Sequence, residues 1–90
     1  MDILEARAKI DELDIQIVDL LKQRMILSSE IAIFKKEKNL PIHAPSREEE
    51  ILHNISAAVP ETMELYIQKI YATIFETSRQ YQENKQNEVF

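Results

Sequence analysis

Apolar residues recur every seven positions through the first part of this chain, in two columns: Ile3, Ile10, Ile17 and Ile31 in one, Ala6, Leu13, Leu20, Leu27 and Phe34 in the other. That repeat specifies a helix of coiled-coil type, and nothing interrupts it before Asn39-Leu40-Pro41. At about 1.5 Å per residue such a helix is roughly 50 Å long, far more than the width of a compact domain of this size. It must project beyond its own chain, and its seams need another helix. A second copy of the chain is the expected partner.

Size argues the same way. Ninety residues with 44% hydrophobic content make one small domain, residues 1–90, near the length at which a single core is marginal and association commonly supplies the missing burial. The formal net charge of -5 argues against nucleic acid, which needs a surplus of Lys and Arg on one face. Any anion site must be local. Cys is absent, so there is no thiolate nucleophile or zinc knuckle, and the two His, His43 and His53, do not make a metal site by themselves. Gly is absent too, which removes phosphate loops and dinucleotide fingerprints. No cofactor or metal is expected, and any catalysis has to come from side chains on helices. The N-terminus carries Asp2 and Glu5 instead of a basic segment, and no apolar run reaches about 18 residues, so a soluble, cytoplasmic chain is expected.

Two more helices follow, and no stretch reads as a strand, which makes the fold class all-α. Ser46 and Glu49 have the spacing of a capping box, predicting a second helix that starts at Ser46, turns Ile51, Leu52 and Ile55 inward and ends before Pro60. The third helix is predicted from Pro60, with Met63, Ile67, Ile70 and Ile74 beside Tyr66, Tyr71 and Phe75 at helical spacing. The polar run from Glu83 to Glu88 has nothing evident to pack against, so residues 83–90 are expected to fray.

Polar residues interrupt these seams. Arg24 occupies the Ile3 column between Ile17 and Ile31, and an unpaired guanidinium is expensive to bury, so it must meet an anion. That anion is either an acidic side chain of a neighbouring helix, which would fix register, or a ligand. Lys35 lies eleven residues on, three turns plus about 20° around the axis, and shares the face of Arg24 with Ser28 between them. Lys35 can equally belong to a solvated helix end. Arg7 precedes Arg24 by seventeen residues, about 25 Å along the axis, so no small ligand touches both within one helix. An antiparallel partner could bring its own Arg7 level with Arg24 and Lys35; alone, Arg7 reads as a surface residue pairing with Asp11. On the third helix the stripe Tyr71, Phe75 continues as Ser78 and Gln82, hydrogen-bonding groups that do not titrate, or simply a face turning polar.

Taken together, "ARAKIDELDIQIVDLLKQR", "IAIFKKEKNLPI", "APSREEEIL" and "IFETSRQYQ" resemble the all-helical chorismate mutase family over almost the whole chain. The resemblance implies an intertwined antiparallel homodimer of three-helix chains that rearranges chorismate to prephenate, toward phenylalanine and tyrosine, with no metal or cofactor. It also implies roles: Arg24 and the second chain's Arg7 as carboxylate clamps, Lys35 and Gln82 as donors to the ether oxygen. Arg47 would support the carboxylate, Glu48 accept from the ring hydroxyl and Ser78 add a polar contact. At Ala44 mutases of this family usually carry an acidic residue, and the Ala-Pro-x-Arg pattern resembles the related isochorismate-pyruvate lyases. Glu48, still available for the hydroxyl, favours the mutase. A non-catalytic dimer binding the same kind of metabolite needs the same cations and is the third reading.

Overall fold

The computed structural model describes residues 1–89; Phe90, the last residue of the expected frayed tail, lies outside the described residues. It contains three helices, α1 (Ile3–Glu37), α2 (Pro45–Ala58) and α3 (Glu61–Val89), and no strand among the described residues. Asp2 caps α1 by accepting from the Glu5 N–H at 2.9 Å. At the other end Asn39 takes φ 55°, the left-handed region that a short amide side chain tolerates in a chain without glycine. The Leu40 N–H then reaches Lys35 O at 2.8 Å and the Asn39 N–H reaches Lys36 O at 3.3 Å. These bonds satisfy carbonyls left over at the helix end, and Pro41 prevents the helix from resuming.

The start of α2 corrects the sequence expectation. Ser46 does not cap it: the N-cap is Ala44, Pro45 opens the first turn, and no side chain bonds the free N–H groups. Pro45 explains the shift, because its fixed φ suits the first helical position and its missing N–H is one that would have no intrahelical partner. Ser46 is therefore already inside the turn, and the Glu48 N–H bonds Ala44 O at 3.1 Å. Pro60 lies one residue outside α3, with its carbonyl accepting from the Met63 N–H at 2.9 Å.

From Glu83 onward, where the sequence predicts fraying, α3 continues to Val89. Its polar residues do find partners: Gln86 Nε2 donates to Ala32 O of α1 at 2.8 Å, and Lys85 pairs with Glu88 at 3.2 Å. The Glu88 carboxylate, through that hydrogen bond and its charge, and then Tyr81, hold the Lys85 ammonium pKa above its ordinary value.

Matched contacts give the topology. Ser28 meets Ser78 and, further along both helices, Ala32 meets Gln86, so α1 and α3 run in the same direction. Glu48 meets Arg79 and Ser56 meets Gln68, so α2 runs back along α3. Ile51, Leu52 and Ile55 are half-buried, as their spacing predicts. The extents are 52 × 26 × 14 Å, and the radius of gyration is 16.2 Å against about 12 Å for a compact chain of this length. The interior is correspondingly small. Among the described residues only Ala32 and Phe75 are buried apolar ones, beside three buried polar ones, Ser28, Ser78 and Gln82. Over its first five turns α1 has no buried residue: Ile10, Leu13, Ile17 and Leu20 are each at least 50% exposed.

Candidate active site

The buried polar trio forms the floor of a cavity of about 520 Å³. All three helices line it: Arg24, Ser28, Ile31 and Lys35 from α1, Arg47, Glu48 and Ile51 from α2, Phe75, Ser78, Arg79 and Gln82 from α3. Ile42 and Ala44 close it from the α1–α2 connection. The lining thus carries four cations against one carboxylate, within a chain whose net charge is -5. Positive potential focused in a low-dielectric cleft attracts an anionic ligand in spite of the chain's overall sign.

Each polar group is held by a specific neighbour. The Arg24 guanidinium lies over the Phe75 ring, 5.9 Å from its centroid, and Tyr71 packs edge-on against the same ring at 5.8 Å. Among the described residues no ion pair includes Arg24, so the acidic partner that could have fixed its register is not supplied within the chain. Lys35 Nζ donates to Ile42 O at 2.8 Å, which draws the ammonium across the turn toward the cavity. It is therefore not a freely solvated helix-end lysine.

A chain of hydrogen bonds crosses the floor. Ser28 Oγ and Ser78 Oγ are 2.9 Å apart, and Gln82 Nε2 donates to Ser78 Oγ at 3.2 Å. Gln82 Oε1 is buried with no partner among the described residues. A buried polar atom left unsatisfied costs about 1–3 kcal/mol, which marks Gln82 as the group awaiting something in the cavity. The amide has nearly the same shape either way round. Turned over, it would present its N–H₂ there and accept from Ser78 instead.

The rim is charged. Arg47 pairs with Glu50 along the outer side of α2, both side chains 62% exposed. Glu48 pairs with Arg79 across the α2–α3 seam and lies near His43. Six of the seven residues singled out from the sequence, Arg24, Lys35, Arg47, Glu48, Ser78 and Gln82, therefore line one cavity. Arg7 does not: it is exposed on the uncovered stretch of α1, about 25 Å along the helix from Arg24. Sequence reasoning misses Arg79. Its signal is present, since it lies four residues after Phe75 and eight after Tyr71, on the stripe that also yields Ser78 and Gln82. Among the described residues no cluster of His, Asp or Glu could hold a metal ion, and no helix is long and apolar enough to cross a membrane.

Comparison with known proteins adds four findings. The family described as chorismate mutase type II matches residues 6–83. A bifunctional chorismate mutase/prephenate dehydratase of Aquifex aeolicus is 43% identical over 54 residues, which is 60% of this chain and 15% of that protein. A chorismate mutase of Methanocaldococcus jannaschii is 39% identical over 51 residues, 57% of this chain and 52% of that one. The matched stretch therefore spans about half, or much less, of these relatives' lengths. Among solved structures, a Form II chorismate mutase of Thermus thermophilus superposes with a TM-score of 0.85 at 33% identity, covering 90% of this chain and 93% of that one.

Proposed function

The chain belongs to the chorismate mutase type II family, and from that premise we propose that it rearranges chorismate to prephenate as a cytoplasmic homodimer. The observation that carries the reading is the lining itself: four cations, one carboxylate and a buried amide with an unsatisfied oxygen converge on a cavity sized for a small dianion.

The chemistry suits this inventory. A Claisen rearrangement needs no nucleophile, no metal and no obligatory proton transfer. The protein has to hold a flexible dianion in its compact reactive conformer and stabilise the charge that grows on the ether oxygen as the C–O bond breaks. In the proposed arrangement Arg24 clamps one carboxylate, supported by Arg47, while Lys35 and Gln82 donate to the ether oxygen and Glu48 accepts from the ring hydroxyl. Ser28 and Ser78 orient the Gln82 amide. An acceleration of about 10⁶ requires about 8 kcal/mol, and one preorganised donor is typically worth about 3 kcal/mol, so two donors and the clamps are of the right size.

The second carboxylate has no dedicated clamp beyond these, and Arg7 is too distant to serve its own chain. The exposed apolar columns of α1 and the outlying Arg7 have one common remedy, an antiparallel second copy whose Arg7 completes the site.

Ala44 keeps one further reading in view, since its methyl group lines the cavity where an acceptor could stand. Purified chain incubated separately with chorismate and isochorismate decides between them. Prephenate from chorismate is the expected product. Pyruvate and salicylate from isochorismate, with chorismate untouched, would assign a lyase, and binding without turnover would assign a metabolite-binding dimer.

A further inference from the structure

Glu48 divides its carboxylate oxygens between different neighbours. Oε2 accepts from Arg79 Nη1, whereas Oε1 lies 3.7 Å from His43 Nε2, beyond hydrogen-bond length. The Arg79 pair joins α2 to α3, and its two side chains are partly withdrawn from water, at 31% and 23% exposure. Arg47, adjacent to Glu48 on α2, is engaged by Glu50 in a pair that is 62% exposed on both sides. Two arginines thus flank the one carboxylate of the lining, and the better shielded of them holds it.

The geometry points to Arg79 as a positioning residue: by binding Oε2 it fixes Glu48 so that Oε1 remains the acceptor for the ring hydroxyl of the substrate. This rests on the rearrangement proposed above. Two physical needs converge on Arg79. First, a carboxylate beside a bound dianion is repelled by it, and the Arg79 charge offsets that repulsion at close range. Second, Ala44 offers no acceptor, which leaves Glu48 as the one carboxylate of the lining to meet the hydroxyl. Without Arg79, the neighbour left beside the Glu48 carboxylate is His43, which is not among the residues lining the cavity.

The test compares chorismate with an analogue whose ring hydroxyl is replaced by hydrogen. Arg79→Met keeps the aliphatic stem and removes the charge and donors. The parent should favour chorismate by about tenfold in kcat/KM, the worth of one charge-assisted hydrogen bond, and Arg79→Met should collapse that ratio toward unity. Arg79→Lys should restore part of it, because an ammonium supplies the charge without the planar fork. Glu48→Gln added to Arg79→Met should cost little more, since the two act as one unit. The ratio is read on a single preparation, so partial unfolding of a variant does not alter it. Equal losses on both compounds would mean that Arg79 serves the shared carboxylates or the fold, and would overturn the inference, as would an unchanged ratio. A parent that converts neither compound overturns the proposed function and this inference with it; a parent that converts both while Arg79→Met keeps the ratio overturns the inference alone.

Discussion

Ile17→Ala tests whether two chains pair along α1. The isolated chain exposes 7205 Å² of surface, about 1700 Å² more than a compact monomer of 10.6 kDa. Two chains hiding that excess from each other would bury about 3400 Å², within the range of obligate dimers. Ile17 sits in the middle of the uncovered columns and is 50% exposed, so half of its side chain remains to be buried by a partner. Full burial of such a side chain is worth about 1.5–3 kcal/mol, and truncation inside a packed seam adds a cavity penalty. The loss is about 1.5–2 kcal/mol per copy. A two-fold interface counts it twice, giving about 3–4 kcal/mol and a dissociation constant weakened by two to three orders of magnitude.

Sedimentation equilibrium and thermal melts, each followed over about two decades of protein concentration, read this directly. The parent should be a dimer whose Tm rises with concentration, because association and folding are linked. Ile17→Ala should lower Tm at every concentration and shift the dissociation midpoint upward. A parent that sediments at the mass of one chain and melts cooperatively at a concentration-independent Tm would refute the reasoning. So would a dimer indifferent to Ile17→Ala.

Arg7→Ala and Arg24→Ala homodimers should each be nearly inactive, while refolding them together should restore activity toward about a quarter of the parent level, because one site of each mixed dimer keeps both arginines; mixed dimers that form and stay inactive would refute shared sites. Gln82→Glu should confine activity to acid, since an amide donates at any pH and a carboxyl only when protonated, and the parent should be nearly flat across neutral pH; a variant equal to the parent at neutral pH would remove Gln82 from the ether oxygen. Ala44→Asp should leave turnover of chorismate equal or better and, because Ala44 is the uncapped N-cap of α2, should raise stability by about 1 kcal/mol, several degrees in Tm for a chain of this size. A lower Tm would contradict the cap geometry.

The residues legible in the sequence are those whose meaning is set by position along one helix. Seven-residue spacing identifies α1, and the break at Asn39-Leu40-Pro41 follows its last residue, Glu37, closely, with Asn39 taking a positive φ. The same arithmetic puts Arg24, Ser28 and Lys35 on one face, and all three line the cavity. Local rules in competition are harder to read. Ser46 and Glu49 match a capping box, but a Pro that can open the helix one residue earlier overrides a hydroxyl that could have closed it. Partnerships between helices are not legible at all. Glu48 and Arg79 are thirty-one residues apart, and nothing in the spacing of either announces the other. The end of α3 escapes sequence reasoning for the same reason: Gln86 looks unsupported until α1 supplies the Ala32 carbonyl.

The distribution of burial links the fold to the proposed chemistry. In most small domains the apolar residues occupy the interior and the polar ones decorate it; in this protomer the best-shielded side chains include the Ser28, Ser78 and Gln82 floor of the cavity, while the isoleucines and leucines of α1 face outward. Ser28 and Ser78 join α1 to α3, Gln82 bonds Ser78 along α3 and Lys35 bonds Ile42 O, so the amide and Lys35 are positioned within a protomer. Arg7 lies on the exposed first turns of α1, outside the cavity. On the proposed pairing, the contacts that bury Ile10, Leu13 and Ile17 are therefore the same contacts that aim the last clamp. A reaction that needs positioning and charge, with no nucleophile, tolerates this division well, because the long cationic side chains stand on rigid helices and the site needs no glycine turn. On that pairing, a chain without its partner would lose stability and one carboxylate clamp together.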